Sequence, residues 1–516
     1  MVNEIRVRKI HRPNSSLLNE TDRINGTIAL GQPDYPLAKT SEQREFWRRL
    51  QPVNRVATSD TYKRTMSGSS ELFSDNFSCY SLAARKALDE EGVNGRYIMA
   101  GIEKMLYPWF MNPISVSEVR KAEEFFKTKA QVDKFPTKAW NKVIANKGFF
   151  PIDIYGLPGG QTFLVKDGKY VPIMSVEGPG ALASHLEAHL ESIYAPLIQA
   201  TKARLFYEEV GKQFAEFGLR ADENENNHVT LMQALYVGGG FKLTSDDQAV
   251  FLFPEYFEDI GTVGHELIMA YQKKGISLEE AQDRALRDFV IANKRSALLP
   301  DVINTIKSGL PAILRLVKEY QGTEKVIMPR LDSGDVPYQC QFWKNMTLGE
   351  GILETEMVVE DGYNPRKARE TRAAYAVAGF NPNDITPGAG GYFRDGCMRD
   401  AASLVYKRSA TEHDGVLEDQ LKFSDSPGKG SLPGRIRIYG RDNTLIVAQA
   451  GEKIIGELLS VLLVKNGRIN YFEDLNQQRE RAEKTWNQYD DIEYSPRTLN
   501  IINERRHELE EVRARL

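Results

Sequence analysis

Residues 326 to 335 read VIMPRLDSGD, an uncharged run able to form a buried strand, closing on Arg330, Asp332, Ser333, Gly334 and Asp335. At the C-terminal end of a strand, carboxylates can meet hydroxyls or a developing positive charge, and a guanidinium can meet an anion. In α/β folds the βα loops converge at that end, and a glycine lets backbone approach a ligand. Taken alone, the motif divides evenly between a reactive site and a charged loop. Other segments carry comparable chemistry. GTVGHELI puts His265 after a glycine turn, at a predicted helix start, although a single histidine is more often structural. EFGLRA sets Phe217 three residues before Arg220, so a flat heteroaromatic ring could stack on one and be held by the other. A core Phe beside a surface Arg is the plainer alternative. TPGAGGYFRDG places Gly388, Gly390 and Gly391 ahead of an expected helix start, a loop suited to a phosphate. Tight turns use the same residues. Beyond it come Arg399, Lys407, Arg408, Lys422 and Lys429, the later ones interleaved with Gly428, Gly430 and Gly434, a composition suited to gripping a polyphosphate.

The elements that must position these residues read as alternating strands and helices from about Ala181 onward. QALYVGGGF, RSALLPDV, KVIMPRLDSGD and EMVVEDGY are predicted strands, and their alternation with helices implies parallel βαβ units in a barrel-like sheet. Upstream, Tyr97 to Ala145 is mostly helical in pattern, with VSEVRKAEEFFKT amphipathic. PIDIYGLPGGQTFLVKDGKYVPIMSVEGPG alternates apolar and polar residues around Gly-Gly and Asp-Gly hairpin signals, and predicts a small β-rich region. The first ~55 residues carry Pro13, Pro33, Pro36 and Pro52 without periodicity and read as an irregular extension. NIINERRHELEEVRARL at the end reads as a solvated, salt-bridged helix.

Composition narrows the classes. The 516 residues are 41% hydrophobic and 27% charged, with a formal charge of −4 from interspersed signs, which argues against a nucleic-acid partner. The most apolar run, IIGELLSVLLV, is too short for a membrane span and is interrupted by Gly456 and Glu457. Cys79, Cys340 and Cys397 show neither a disulfide framework nor metal-ligand spacing, and MVNEIRVRKIHRPNSS has no apolar leader. The expectation is a cytoplasmic enzyme.

The order of these clusters resembles the nicotinamide and nicotinate phosphoribosyltransferases of NAD salvage, from about Val56 to Tyr439, with the whole-chain layout closer to the nicotinamide branch. The resemblance implies an α/β fold: an irregular (β/α) barrel of the type II phosphoribosyltransferase kind, plus an α+β domain made from the N- and C-terminal parts. The expected divisions are 1–54 extension, 55–180 and 401–516 for the two parts of the α+β domain, and 181–400 barrel. SDTYK looks like the segment whose tyrosine crosses a dimer interface to stack on the pyridine, which assigns Asp60 and Tyr62 to the base. CYSLAAR implies a phosphate-contacting Arg85. EFGLR implies Phe217 as the other stacking face and Arg220 as its polar contact. His265 matches the histidine that ATP phosphorylates in this family. RLDSGD assigns Arg330 and Asp332 to the pyridine and ribose side. VVEDGYN implies ribose contacts from Asp361 and Gly362, and GAGGYF a 5′-phosphate loop at Gly390 and Gly391. Arg399, Lys407, Lys422 and Lys429 then fit the diphosphate segment in the neighbouring subunit's half of a shared site. The implied partners are nicotinamide or nicotinate and phosphoribosyl diphosphate (PRPP), with substrate-bound Mg2+, possible coupling to ATP, and a homodimer.

Two positions depart from the family pattern. Where two carboxylates are usual after an apolar strand, LLPDVIN offers only Asp301. GGGFKLTSDD offers Ser245 where the nicotinamide branch has an aspartate that accepts from the carboxamide, and a neutral Ser tolerates an acid better. Three alternatives stay open: nicotinate as base, a larger ADP-ribose 1-diphosphate donor that gives NAD directly, and an inactive binding or regulatory homologue.

Overall fold

A computed structural model describes residues 54–129, 135–423 and 430–515. The expected extension therefore falls, but for Asn54, outside the described residues, as does Lys429.

Seven parallel strands follow one another around a ring: Ala215–Glu216, Leu243–Thr244, Glu258–Asp259, Arg295–Leu298, Val326–Leu331, Met357–Val359 and Ile385–Ala389. The last returns to the first through Gly388 and Ala215, and a bridge between Thr262 and Ala297 joins the third to the fourth. Helices such as Leu278–Ala292, Leu310–Glu319, Val336–Gly349 and Pro365–Val377 make the crossovers, as parallel pairing requires. Inside the ring, Ala215, Ile260, Ala297, Met328 and Val358 form a buried cluster with Phe217 and Leu243 packed on it. Strand side chains alternate with period two, so the residues two positions further on, Phe217, Ser245, Thr262, Arg330 and Glu360, come to the C-terminal mouth. The apolar layer thus fixes which polar residues face a ligand.

Segments from before and after the barrel interleave in an antiparallel sheet. Its order is Val416–Asp419, Val405–His413, Phe77–Ala83, Pro172–Pro179, Asp153–Gly156, Val461–Lys465 and Arg468–Ile469. The Asp-Gly hairpin signal is real: Asp167 and Gly168, at φ of 52° and 76°, join Thr162–Lys166 to Lys169–Tyr170. Among the described residues no helix is long and apolar enough to cross a membrane. Helix Pro496–Arg515 buries only Thr498, in keeping with a solvated terminal helix.

One predicted strand is a helix. QALYVGGGF lies at the C-terminal end of helix Glu225–Gly239, which Asn224 caps by accepting from the Asn227 N–H and Gly240 ends in the left-handed region. The helix is buried around most of its circumference, which erases the 3.6-residue apolar period. Its glycines serve packing: a Cβ on Gly238 would overlap the Ala200 carbonyl of helix Tyr194–Val210. The strand of this unit is the short Leu243–Thr244.

Candidate active site at the barrel mouth

Strand Val326–Leu331 ends where the sequence predicts, and Arg330 is the centre of the mouth. Its Nε lies 2.8 Å from Glu360 Oε1, its Nη2 3.8 Å from Asp332 Oδ2, and its Nη1 donates to the Val263 carbonyl at 3.2 Å. The guanidinium stands over the Phe217 ring, 5.0 Å from the centroid. Beside it, His265 Nε2 meets Asp301 Oδ1 at 2.8 Å and Ser333 Oγ donates to Asp301 Oδ2 at 2.9 Å. His265, Asp301 and Asp332 bring three ligand atoms within 4.8 Å of one another, a group able to hold a cation.

Electrostatics separate the two aspartates. Burial would raise the Asp301 carboxyl, but hydrogen bonds from His265 and Ser333 prevail and lower it. Burial, then the Asp301 charge, raises Asp332. Glu360 is pushed up to about 7 by burial, with Arg330 opposing and Asp332 adding.

A buried network fixes the stacking face. His228, fully enclosed, joins Asp246 Oδ2 at 2.7 Å and Glu216 Oε2 at 2.8 Å. Arg394 Nη1 meets Glu216 Oε1 at 2.7 Å, and the Gly218 N–H donates to the same oxygen at 2.7 Å. Burial opposes charge on His228, but Glu216 and Asp246 outweigh it and hold its proton. Phe217 and Ser245 are chain neighbours of Glu216 and Asp246, so the network sets their backbone. Arg220 follows on the exposed turn Leu219–Ala221.

The glycine segment is not followed by the expected helix start. It leads into a three-residue 3-10 turn, Gly391–Phe393, not an α-helix. Gly388 belongs to a barrel strand, where a Cβ would come within 2.8 Å of both the Phe217 ring and Glu360 Cγ, and a Cβ on Gly390 would lie 2.8 Å from Gly218 Cα. Gly388 makes room for two of the mouth's side chains, and Gly390 for the backbone of Phe217 and Gly218. Gly391 is exposed at the turn. Asp361 and Gly362 lie on an exposed turn at φ of 83° and 63°, with Asp361 Oδ2 3.4 Å from Lys367 Nζ.

A second group forms around Glu187 and Glu191. Tyr62, 49% exposed, donates to Glu187 Oε2 at 3.0 Å; Lys63 pairs with the same carboxylate, and Lys407 Nζ lies 3.5 Å from Oε1. Arg399 Nη1 is 3.5 Å from Glu191 Oε2. Burial, then Lys407, lowers Lys63 to about 8, and burial lowers Lys407 with Arg85 and Arg399 adding. Arg85 donates to the Gly430 carbonyl at 3.2 Å, Asp60 precedes helix Thr61–Ser69, and Lys422 is exposed.

No family model matches the chain. It is 29% identical over 287 residues to the nicotinate phosphoribosyltransferase of Bacillus subtilis (strain 168), covering 54% of each chain, so it spans about half the length of that curated relative. A crystal structure of human nicotinic acid phosphoribosyltransferase superposes with a TM-score of 0.63 at 16% identity, over 87% of this chain and 99% of that one. Over the 287 matched residues the chain is similar in sequence to a nicotinate phosphoribosyltransferase, and over most of its length it shares that enzyme class's fold. A nicotinate-nucleotide pyrophosphorylase from Pyrococcus furiosus also superposes, with a TM-score of 0.57 at 15% identity over 85% of this chain and 96% of that one. The parallel barrel with its added antiparallel sheets is the type II phosphoribosyltransferase fold.

The motifs led to Arg330, Asp332, His265, Asp301 and Phe217, which meet at one mouth. They missed Glu360, Glu216, His228 and Asp246, and Glu187 and Glu191 of the second group. Glu360 had one sequence signal: it stands two residues after a core-facing strand residue, Val358.

Proposed function

We propose that this chain is a pyridine-salvage glycosyltransferase that joins nicotinamide to PRPP and releases pyrophosphate, giving nicotinamide mononucleotide. The observation that carries the reading is the convergence, at one barrel mouth, of an aromatic face, Phe217, with Arg330 over it and an Asp301–Asp332–His265 cluster beside it. Displacement at the ribose anomeric carbon passes through a dispersed positive charge. A carboxylate placed beside that carbon stabilises it, and fixed stacking holds the ring nitrogen in line. Asp332 has that role, Asp301 holds His265 and Ser333 in position, and Phe217 orients the ring. Asp301 and Asp332 fit a Mg2+ ion arriving with the diphosphate, which when bound offsets the charge of the leaving group. Arg85, Arg399 and Lys407 grip the diphosphate, with Tyr62 as the second stacking face. They act from a partner subunit of a homodimer with shared sites. His265, its side chain 44% exposed, is open to phosphorylation by ATP. Nicotinate as base is the second reading, favoured by the relative's name and by the neutral Ser245.

The test is the mass of the product formed from each base with PRPP and Mg2+. A mononucleotide with equimolar pyrophosphate is expected. A dinucleotide formed only from an ADP-ribose 1-diphosphate would replace the donor, and no base-dependent product from either donor would remove the transferase reading.

A further inference from the structure

Glu360 stands inside VVEDGYN, where the motif assigns it no role, yet its carboxyl lies in the mouth beside Arg330. Its side chain is 13% exposed, and Gly388 is what lets it share that space with the Phe217 ring. Glu360 Oε1 and Arg330 Nε touch as ions at 2.8 Å, but neither buried atom has a hydrogen bond of good geometry. A donor and an acceptor thus lie side by side, under-satisfied, next to the ring against which the base would lie. With Asp332 3.8 Å from its other side, the Arg330 charge is already offset.

We infer that Arg330 and Glu360 together read a neutral carboxamide on the pyridine, the guanidinium donating to the amide oxygen and Glu360 accepting from the amide nitrogen, and that Glu360 disfavours an anionic ring substituent. This rests on the base lying against Phe217. A primary amide presents one acceptor and a donor group, matching the pair. A carboxylate presents acceptors only and sets a second negative charge against Glu360. An arginine alone would favour the acid. Ser245 carries no charge, so charge discrimination falls to Glu360, on a different strand.

The test is the ratio of kcat/KM for nicotinamide over nicotinate, each with PRPP and Mg2+ at pH 8, in wild type, Glu360→Gln and Glu360→Asp. Wild type should prefer nicotinamide, and Glu360→Gln should narrow the ratio by about tenfold or more, chiefly through a lower KM for nicotinate. Glu360→Asp keeps the charge but retracts the acceptor, so nicotinamide KM should rise while nicotinate stays poor. That arm stands alone should the Gln variant not fold. An unchanged ratio in Glu360→Gln, an unchanged nicotinamide KM in Glu360→Asp, or a wild-type preference for nicotinate overturns the inference. If wild type turns over neither base, the transferase reading fails by itself. Calorimetric binding of the two bases to wild type and Glu360→Gln then judges the pair: tighter nicotinamide binding only in wild type is expected, and equal or reversed wild-type affinities contradict it.

Discussion

The barrel mouth and the group around Glu187 handle charge in opposite ways. At the mouth, short carboxylates and one arginine project from strand ends or the first residues beyond them, half-buried or better, and each is tied to a neighbour. Around Glu187 and Glu191, long cationic side chains on a helix and an antiparallel strand share two carboxylates, and Arg399 is 51% exposed. The first arrangement is preorganised and suits charge that develops in a transition state. The second is adjustable, and suits a bulky anion whose arrival replaces the glutamates as partner. Substitutions in the two regions should therefore differ in kind as well as size.

The largest effect is expected at the mouth. Asp332→Asn, nearly isosteric, should lower kcat by ~10²-fold or more with an unchanged unfolding temperature. Near-normal turnover would remove Asp332 from the reacting centre. Lys407→Ala should instead raise the KM for PRPP by about tenfold while kcat falls little, and the defect should shrink as salt rises, because a partly exposed charge is still screened. A defect confined to kcat and indifferent to salt would erase the contrast between the regions.

Glu360 sets the mouth apart through its response to pH. Burial raises its carboxyl from 4.5 to about 7. Arg330 beside it and Arg220 on the neighbouring turn oppose the rise, and Asp332 adds to it. The folded protein therefore holds this proton to higher pH than the unfolded chain, and wild-type stability should fall as pH rises from 4.5 to about 7. Glu360→Gln lacks that slope. Denaturant unfolding at pH 5 and pH 8 should show the variant gaining on wild type by on the order of 1 kcal/mol at the higher pH. Parallel pH profiles would mean that Glu360 is ionised throughout.

Much of the mouth was legible in the sequence because its residues sit in contiguous motifs. RLDSGD carries strand, turn and charge in six letters, and the alternation of period two sends Arg330 up from Met328. Glu360 obeys the same rule, but its importance comes from a neighbour on another strand, and a linear reading passes over it for Asp361. The Glu216–His228–Asp246 network joins a strand of two residues, a helix and the residue that caps the short helix Asp247–Leu252, too little chain for periodicity to register. QALYVGGGF misled because Gly238 serves helix packing and Gly240 ends the helix, and no sequence signal at Gly388 marked the close approach of Phe217 and Glu360. The grouping of Tyr62, Lys63 and Lys407 around Glu187 depends on residues 77–83 pairing with 405–413, which no local pattern announces.

In the proposed enzyme these two regions are halves of one site, each barrel mouth being completed by the basic group of a partner subunit. Inactive Tyr62→Ala/Arg85→Ala subunits would be mixed with inactive Asp332→Asn subunits at equal amounts and allowed to exchange fully. Each mixed dimer then carries one site with only intact residues, and activity should recover to roughly a quarter of wild type, since about half the dimers are mixed and each has one good site of two. No recovery despite demonstrated exchange would show that each site is built within one chain and would contradict the shared-site reading.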